Sequence, residues 1–392
     1  MKRFSIGDEF FNIIEVKIRR MRPVVLPKSF QDSTMGPFNT FSMATITLMD
    51  KDGCSGEAPI FGSYVNILES CILPILLNSE RSSYHSLSNS LYWAIRNEGI
   101  RGPASAILGQ VDMALHDLAA VRNKVPLHRY LNAERDWVHV YGSGGGTNYS
   151  IPELEKEILS FLDQGIRTIK IKVGKNNGRN IKEDIERILF VKKLIGNDVS
   201  LAVDANQVWD VATALSFSHE IADLQIAWFE EPVHSAAIHQ IRELCSSCRI
   251  PVSYGESERS GKVFPTLVNA GVKHFQAIPG YLPNIKEWME VAKLATQNGL
   301  HFTSGGFCHY SCEFVAATEL QYHTEYLAPI HSSIEAFLHT KPELSKGKFF
   351  LSDTPGFTAR IDWERVRDRN YLEFEKVWNK GHYRQYLPAV AL

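Results

Sequence analysis

Several features that would define a class of protein are missing from this sequence. Its 42 Lys and Arg residues nearly balance 44 Asp and Glu residues, leaving a formal net charge of −2 and no charge excess to attract nucleic acid. No stretch approaches the ~18 consecutive apolar residues that indicate a membrane span, and the N-terminus lacks the apolar run of a secretion signal. We therefore expect a cytoplasmic protein that acts on a small molecule, binds neither nucleic acid nor membrane, and forms a homo-oligomer.

Cysteine is also scarce, with six residues in a chain of 392. The closest pair is Cys245 and Cys248. A zinc site would need a second ligand pair nearby, and a redox pair usually opens a helix in a small βαβ unit. We expect reduced, structural thiols.

Both ends of the chain are predicted to build one α+β unit. Residues 10–60 read as strands, with a hairpin turn at residues 51–53, and residues 64–131 have helical periodicity. Because a single core stops growing at roughly 250–300 residues, we expect two packed units. We predict a capping domain over residues 1–137 and a C-terminal segment, residues 346–392, that packs back on it.

The middle of the chain alternates short apolar strands with amphipathic helices. Eight strands are predicted, at residues 138–142, 168–173, 199–204, 224–231, 250–256, 273–279, 301–305 and 324–327. This rhythm predicts an α/β barrel of the TIM type over residues 138–345. A doubly wound open sheet is the alternative, but no Gly-x-Gly-x-x-Gly follows the first strand.

Three acidic residues each end a predicted strand of this barrel: Asp204, Glu230 and Glu256. Each is separated from the next by 26 residues, which is one strand and one helix. They are therefore expected at the C-terminal rim, where barrel enzymes keep their active sites. Converging carboxylates repel one another unless a cation neutralises them, and a hard divalent ion such as Mg²⁺ is expected. The alternative is three separate helix-capping or solvated acids.

Two lysines mark the same rim. Lys170 and Lys172 share one face of the strand over residues 168–173, and in a barrel that face points inward. We expect the two ammonium groups to lower each other's pKa, so that a lysine can act as a base. The alternative is an exposed edge strand with both lysines in water.

At this point the sequence resembles the mandelate racemase and muconate-lactonizing branch of the enolase superfamily. The resemblance runs from GIRGPASAILGQVDMALHDLAAVRNKVPLHRYL through KIKVG, VDANQ, WFEEP and YGES to SDTPGF. It implies a modified (β/α)₇β barrel under a cap. It also implies Mg²⁺ ligands at Asp204, Glu230 and Glu256. Lys172 would be the base, and Lys170 would tune it and contact the substrate carboxylate. Asn206 and Glu325 would contact the substrate.

The sequence also departs from that family. The Asp after the sixth strand and the His after the seventh, which form a dyad in the racemase group, both fall on glycine, at Gly280 and Gly305. No lysine follows the sixth strand either. We consider His309, with Tyr310 next to it, as a replacement acid, and the alternative is that His309 is a surface or packing residue. Closing loops are expected at residues 27–39 and 59–64, where Phe30, Phe38 and Phe61 could exclude water.

These observations favour a Mg²⁺-dependent lyase that removes the α-proton of a carboxylate substrate. The specific hypothesis is dehydration of a sugar acid through an enediolate, with a single base serving both steps. A racemase or epimerase and a cycloisomerase are the alternatives among enzymes. A non-catalytic relative that binds a carboxylate and Mg²⁺ is the alternative from another class.

Overall fold

The computed structural model of the chain describes residues 3–78 and 80–381. The predicted C-terminal segment therefore lies outside the described residues from residue 382 onward. Within the described ranges, no helix has the length and apolar character needed to cross a membrane.

Eight parallel strands close into a barrel in the middle of the chain. The strands are Trp137–Gly144, Thr168–Lys172, Ser200–Asp204, Ile226–Glu230, Val252–Tyr254, His274–Gln276, His301–Ser304 and His323–Leu327. The eighth strand pairs with the first, from His323 opposite His139 to Leu327 opposite Ser143, and this pairing closes the sheet. The predicted TIM-type barrel is confirmed.

A helix follows each of the first seven strands, which makes the barrel (β/α)₇β. The main helices are Ile151–Asp163, Ile181–Ile195, Val211–Glu220, Ile238–Ser247, Phe264–Ala270, Ile285–Gln297 and Cys308–Ala316. The first begins at a capping box in which Ser150 and Glu153 satisfy each other's backbone amides. Leu154, Ile158 and Phe161 lie buried on its barrel side. The four-residue helix Ala328–His331 comes directly after the eighth strand.

The cap is built on a four-stranded antiparallel sheet. Its strands, in spatial order, are Leu372–Asn379, Ile13–Met21, Ala44–Asp50 and Ser55–Ile60. The last two form the hairpin that the sequence predicts, turning at residues 51–53. A second hairpin pairs Val24–Phe30 with Phe38–Phe41. The larger cap helices are Leu73–Asn78, Tyr84–Ala94 and Pro103–Arg122.

The helix Pro103–Arg122 holds the cap over the C-terminal rim of the barrel. Its middle is buried all round, between the cap sheet and the loop after the sixth barrel strand. At Gly109 even a methyl group would collide with the carbonyl oxygen of Leu282 in that loop, so the close contact requires glycine. The cap therefore closes the rim where the acidic residues end their strands.

The described C-terminal residues contact both units. A hairpin of Glu343–Ser345 and Lys348–Phe350 adds antiparallel to the first barrel strand. Beyond it, Arg360 forms a two-fold ion pair with Asp117 of the helix Pro103–Arg122. The exact domain bounds at residues 137 and 345 remain a prediction.

Candidate active site

The structure places the three predicted acids side by side at the rim. Asp204 and Glu230 end adjacent strands and lie opposite each other in register. Glu256 follows the next strand by two residues. Lys172 ends the strand on the other side of Asp204, and the two residues are in register.

The two lysines bind the acids directly. Nζ of Lys172 lies 2.5 Å from Oδ2 of Asp204. Nζ of Lys170 lies 2.7 Å from Glu230, 3.0 Å from Glu325 and 3.4 Å from Asp204. Both lysines are inside the barrel, as their alternation in the strand predicts. Lys170 lies at the centre of the carboxylates, and Lys172 lies beside them.

These ion pairs keep two of the carboxyl groups ionised. Burial disfavours the charged form of Asp204, but Lys172 and Lys170 outweigh it and lower its pKa to about 2. The pKa of Glu325 is lowered in the same way, because the attraction of Lys170 and Lys172 exceeds the cost of burial.

For the other two carboxyl groups, burial and the neighbouring carboxylates outweigh the attraction of the lysines. Burial raises the pKa of Glu230 well above its usual range, and the charge of Asp204 adds to the effect. Burial likewise raises the pKa of Glu256 to about 8, with contributions from Glu231 and Asp204. The cluster therefore contains more carboxyl groups than its two lysines can keep ionised.

Lys170 does lower the pKa of Lys172, as the sequence predicts, but the net shift of Lys172 has the opposite sign. Burial and the charge of Lys170 do oppose the ammonium form of Lys172. The carboxylates around it, Asp204 first among them, outweigh both, and the pKa of Lys172 is raised. Sequence alternation showed the facing lysines but not how many acids would surround them.

The donor set of this cluster fits a hard divalent cation. Of the four carboxyl groups Asp204, Glu230, Glu256 and Glu325, the two lysines keep only Asp204 and Glu325 ionised, so ionisation of the other two calls for a further cation. Carboxylate oxygens are the ligands that Mg²⁺ prefers. Among the described residues no three His, Cys, Asp or Glu side chains already converge in metal-binding geometry. Lys170 occupies the space between the carboxylates instead.

Asn206 lies next to the cluster in a left-handed turn. Its backbone amide donates to Oδ1 of Asp204 at 2.9 Å, and its φ is 43°. Its Oδ1 is buried and has no hydrogen-bond partner among the described residues. An unsatisfied buried oxygen at this position could accept a hydrogen bond from a bound ligand.

Two inward-facing residues of the site were not predicted from the sequence motifs. Gln276 ends the sixth strand, and its Nε2 donates to Glu256 and to Glu325, at 3.3 Å each. The hydroxyl of Tyr141 on the first strand donates to Oε1 of Gln276 at 3.1 Å. Strand alternation could have found both, since Gln276 is two residues after the inward His274 and Tyr141 two residues after His139.

Gly280 and Gly305, which stand where the racemase group has its Asp–His dyad, have different surroundings. A Cβ on Gly305 would lie 3.0 Å from Oε2 of Glu325 and 3.2 Å from Nε2 of Gln276. A Cβ on Gly280 would instead lie 3.0 Å from Sδ of Met113 in the cap helix. A side chain at position 305 would thus enter the carboxylate cluster, and glycine leaves that side open.

The structure does not bring His309 to the cluster. Its side chain is fully buried, with Nε2 3.3 Å from Oε1 of Glu335 and Nδ1 3.5 Å from Sγ of Cys308. Its ring also packs against Phe349 of the C-terminal hairpin. The helix that begins at Cys308 therefore directs His309 toward the C-terminal hairpin.

A different histidine reaches the site. His331 ends the short helix after the eighth strand and lines a cavity together with Glu256 and Glu325. Burial and the neighbouring His309 lower its pKa to about 3, so its imidazole is neutral at pH 7. Its Nδ1 has no hydrogen-bond partner among the described residues.

Of the three predicted loop aromatics, Phe61 lines this cavity. Phe30 instead packs on Tyr149, and Phe38 joins the same small cluster. The loop over residues 27–39 still contacts the rim, because the hydroxyl of Ser33 donates to the carbonyl oxygen of Ala205 at 2.5 Å.

Comparisons with known proteins agree with this architecture. A family model described as enolase C-terminal domain-like matches residues 153–366. The chain is 25% identical over 354 residues to 3,6-anhydro-alpha-L-galactonate cycloisomerase of Streptomyces coelicolor, covering 88% of this chain and 95% of that one. It is 28% identical to L-talarate/galactarate dehydratase of Salmonella typhimurium, covering 72% and 69%. It is also 28% identical to L-Ala-D/L-Glu epimerase of Bacillus subtilis, covering 62% and 67%.

Solved structures show the same fold. A racemase from Streptomyces coelicolor with bound magnesium superimposes with a TM-score of 0.84 at 24% identity, covering 91% of this chain and 99% of that one. The Salmonella typhimurium dehydratase liganded with Mg and L-lyxarohydroxamate gives 0.83 at 23% identity, covering 97% of each chain.

Proposed function

Because the chain belongs to the enolase C-terminal domain-like family, we propose that it removes the α-proton of a carboxylate substrate in the presence of Mg²⁺ and then eliminates the β-hydroxyl. The relatives of this chain are sugar acid dehydratases, cycloisomerases and epimerases. The reacting part of the substrate is that of a sugar acid: a carboxylate, a hydrogen on C2 and a hydroxyl on C3. The observation that carries the proposal is Lys172 beside a carboxyl cluster in which Glu230 and Glu256 lack enough positive charge nearby to favour their ionised forms.

Asp204, Glu230 and Glu256 are the proposed Mg²⁺ ligands. Bound there, Mg²⁺ would balance the negative charge of these ligands and act as a Lewis acid on the substrate carboxylate. The raised pKa of Glu230 and of Glu256 supports this assignment, since a nearby cation is what would favour their ionised forms.

Lys172 is the proposed base. It is the more exposed of the two lysines, with 7% of its surface accessible against 1% for Lys170. Lys170 holds Glu230 and Glu325 in place and contributes positive charge beside the substrate carboxylate. Glu325 and the unsatisfied Oδ1 of Asn206 are proposed to accept hydrogen bonds from substrate hydroxyls.

Dehydration is compatible with the glycine at position 305, on the open side of the cluster. Racemisation needs a second acid or base opposite the first, and position 305 is glycine. In a syn elimination Lys172 takes the α-proton and returns it to the departing hydroxyl on the same face, so one residue suffices.

A racemase or epimerase is the second candidate, and His331 is the observation that favours it. Its unpartnered Nδ1 is buried on the lining of the same cavity and could serve as the second group. Among the described residues, no comparable side chain favours cycloisomerisation or substrate binding without catalysis.

The test is to incubate the full-length protein and Mg²⁺ with a panel of sugar acids in D₂O and to follow substrate and product by NMR. The expected result is a keto acid, formed by wild type and not by Lys172→Ala. Recovered substrate that is epimerised and deuterated at C2, without keto acid, would favour the racemase. Absence of both products and of deuterium exchange across the panel would count against proton abstraction from sugar acids.

We also propose a cytoplasmic location and a homo-oligomeric state. All six cysteines are free in the structure, which supports a reducing compartment. Light scattering after size-exclusion chromatography tests the oligomeric state.

A further inference from the structure

A cavity of about 330 Å³ extends from the carboxylate cluster toward the cap. From its lining we propose that the substrate carries an apolar group, of the aryl or branched-alkyl class, on the carbons beyond the reacting centre. This inference rests on the proposed function and narrows it. The hydroxylated part of the substrate would be short, and the far end would not be the polyhydroxylated chain of an aldaric acid.

Apolar side chains from both units form the walls of this cavity. The cap contributes Phe41 and Phe61. The barrel contributes Phe307 after the seventh strand, Leu327 at the end of the eighth strand and Ile330 in the short helix that follows. Ring pairs join the two sides: Phe41 and Phe307 have centroids 5.6 Å apart. Phe61 and Tyr281 have centroids 5.3 Å apart.

The packing of these side chains against one another leaves part of their apolar surface exposed. Phe41, Phe61, Phe307, Leu327 and Ile330 are all only half-buried. Apolar surface left in contact with water inside a concave site costs free energy, and covering it with an apolar ligand group recovers that cost. The walls therefore favour an occupant with matching apolar surface.

Few polar groups are left for a hydroxylated chain. Glu256 and Glu325 lie where the cavity meets the cluster, and both serve the reacting end. Three further polar side chains of the lining, Gln110, Ser42 and Ser311, already form hydrogen bonds within the protein. His331 has one unpartnered nitrogen. Several hydroxyl groups entering this space would lose water without replacement partners, which is unfavourable.

A second carboxylate would also lack a partner. Within the described part of the chain, no lysine or arginine lines this cavity. Arg20 and Arg259 line the neighbouring groove, but both are engaged. Arg20 pairs with Glu373 at 2.7 Å, and Arg259 stacks on the ring of Tyr281 at 4.0 Å.

The experiment compares three hydroxamates, which mimic an enediolate and share one head group. Calorimetry on the full-length protein with saturating Mg²⁺ measures acetohydroxamate, phenylacetohydroxamate and 2,3,4-trihydroxybutanohydroxamate. We expect phenylacetohydroxamate to bind at least about tenfold more tightly than the trihydroxy compound. Equal or tighter binding of the trihydroxy compound would contradict the inference that the substrate carries an apolar group. It would remain compatible with the proposed function. If none of the three binds in a Mg²⁺-dependent manner, the proposed function fails, and this inference fails with it.

A matched pair of variants tests whether this cavity causes the preference for phenylacetohydroxamate. Leu327→Gln changes the cavity wall, and Leu320→Gln makes the same change at a side chain that is 54% exposed outside the cavity. The readout is the affinity ratio of phenylacetohydroxamate to acetohydroxamate. We expect Leu327→Gln to reduce this ratio about tenfold and Leu320→Gln to preserve it. An equal ratio in both variants would contradict the assignment of this cavity, and the wild-type comparison decides independently of how either variant folds.

Discussion

Nζ of Lys172 lies 2.5 Å from Oδ2 of Asp204, so the proposed base is ion-paired with a proposed metal ligand. Removing this ammonium group should therefore have two opposite effects. Lys172→Ala should slow exchange of the substrate α-proton with D₂O by about 10²- to 10⁴-fold, because the base is gone. It should also tighten Mg²⁺ binding roughly tenfold, because Asp204 loses a competing cation.

Exchange is followed by NMR, and Mg²⁺ binding is measured by calorimetry without substrate. Lys175→Ala is the control, since Lys175 lies three residues later and pairs with Glu183 rather than with the cluster. Weaker Mg²⁺ binding in Lys172→Ala would show that the lysine helps to organise the ligands instead of competing with them.

Lys170 should behave differently, because it is buried among three carboxylates. Lys170→Met leaves Glu230, Glu325 and Asp204 without their shared counter-charge. We expect a loss of about 3–5 kcal/mol in the free energy of unfolding when Mg²⁺ is chelated. Saturating Mg²⁺ should recover a large part of that loss.

Urea unfolding in EDTA and in Mg²⁺ measures both quantities for Lys170→Met. A stability loss of the same size in both conditions would argue that Mg²⁺ binds away from these carboxylates. The surface variant Lys175→Met should show no such dependence on Mg²⁺.

The sequence predicted these acids and lysines because each obeys a local rule. Asp204 and Glu230 end strands, and alternation alone puts Lys170 and Lys172 on one face. The sign of the pKa shift of Lys172 could not be predicted, since it depends on how closely Asp204, Glu256 and Glu230 approach its ammonium group in the folded barrel.

The second histidine was harder to predict for a similar reason. His309 follows the seventh strand closely, but the helix beginning at Cys308 turns it toward Glu335. His331 belongs to a four-residue helix with no periodicity to reveal its direction. The apolar walls depend on how the cap docks, so Phe41 of the cap hairpin meets Phe307 only in the folded protein.

Glu157 should make stability depend on pH. Its Oε2 accepts from the amide of Gly145 at 2.5 Å, and burial raises its pKa from 4.5 to about 7. The folded state then binds more protons than the unfolded state between these pH values, so stability falls as pH rises through that window. The loss is at most about 3 kcal/mol, since one pKa unit corresponds to about 1.4 kcal/mol.

Glu157→Gln should remove this part of the pH dependence and be more stable than wild type above pH 7. Urea midpoints at pH 5 and pH 8 measure the change, and Glu155→Gln on the same helix is the control. A wild-type and a Glu157→Gln protein that lose equal stability between the two pH values would contradict the assignment.

Asp117 is expected to anchor the segment around Phe357 and Arg360 to the cap helix Pro103–Arg122. Its carboxylate is fully buried and accepts from the amides of Glu57 and Phe357, at 2.7 Å each. It also accepts hydrogen bonds from both terminal nitrogens of Arg360, at 2.6 and 2.8 Å. Asp117→Ala removes all four bonds and leaves buried donors unsatisfied, so we expect a loss of roughly 3 kcal/mol or more in the free energy of unfolding.

The same substitution should loosen the turn around residues 352–356, because the amide of Phe357 loses its acceptor. Limited proteolysis should therefore cut Asp117→Ala in this turn at protease concentrations that leave wild type intact. Asp52→Ala, at the exposed tip of the cap hairpin, provides the control, since the Asp52 side chain is 65% exposed. Cleavage confined to other loops, with the turn still protected, would mean that Arg360 and the neighbouring backbone hold the segment without Asp117.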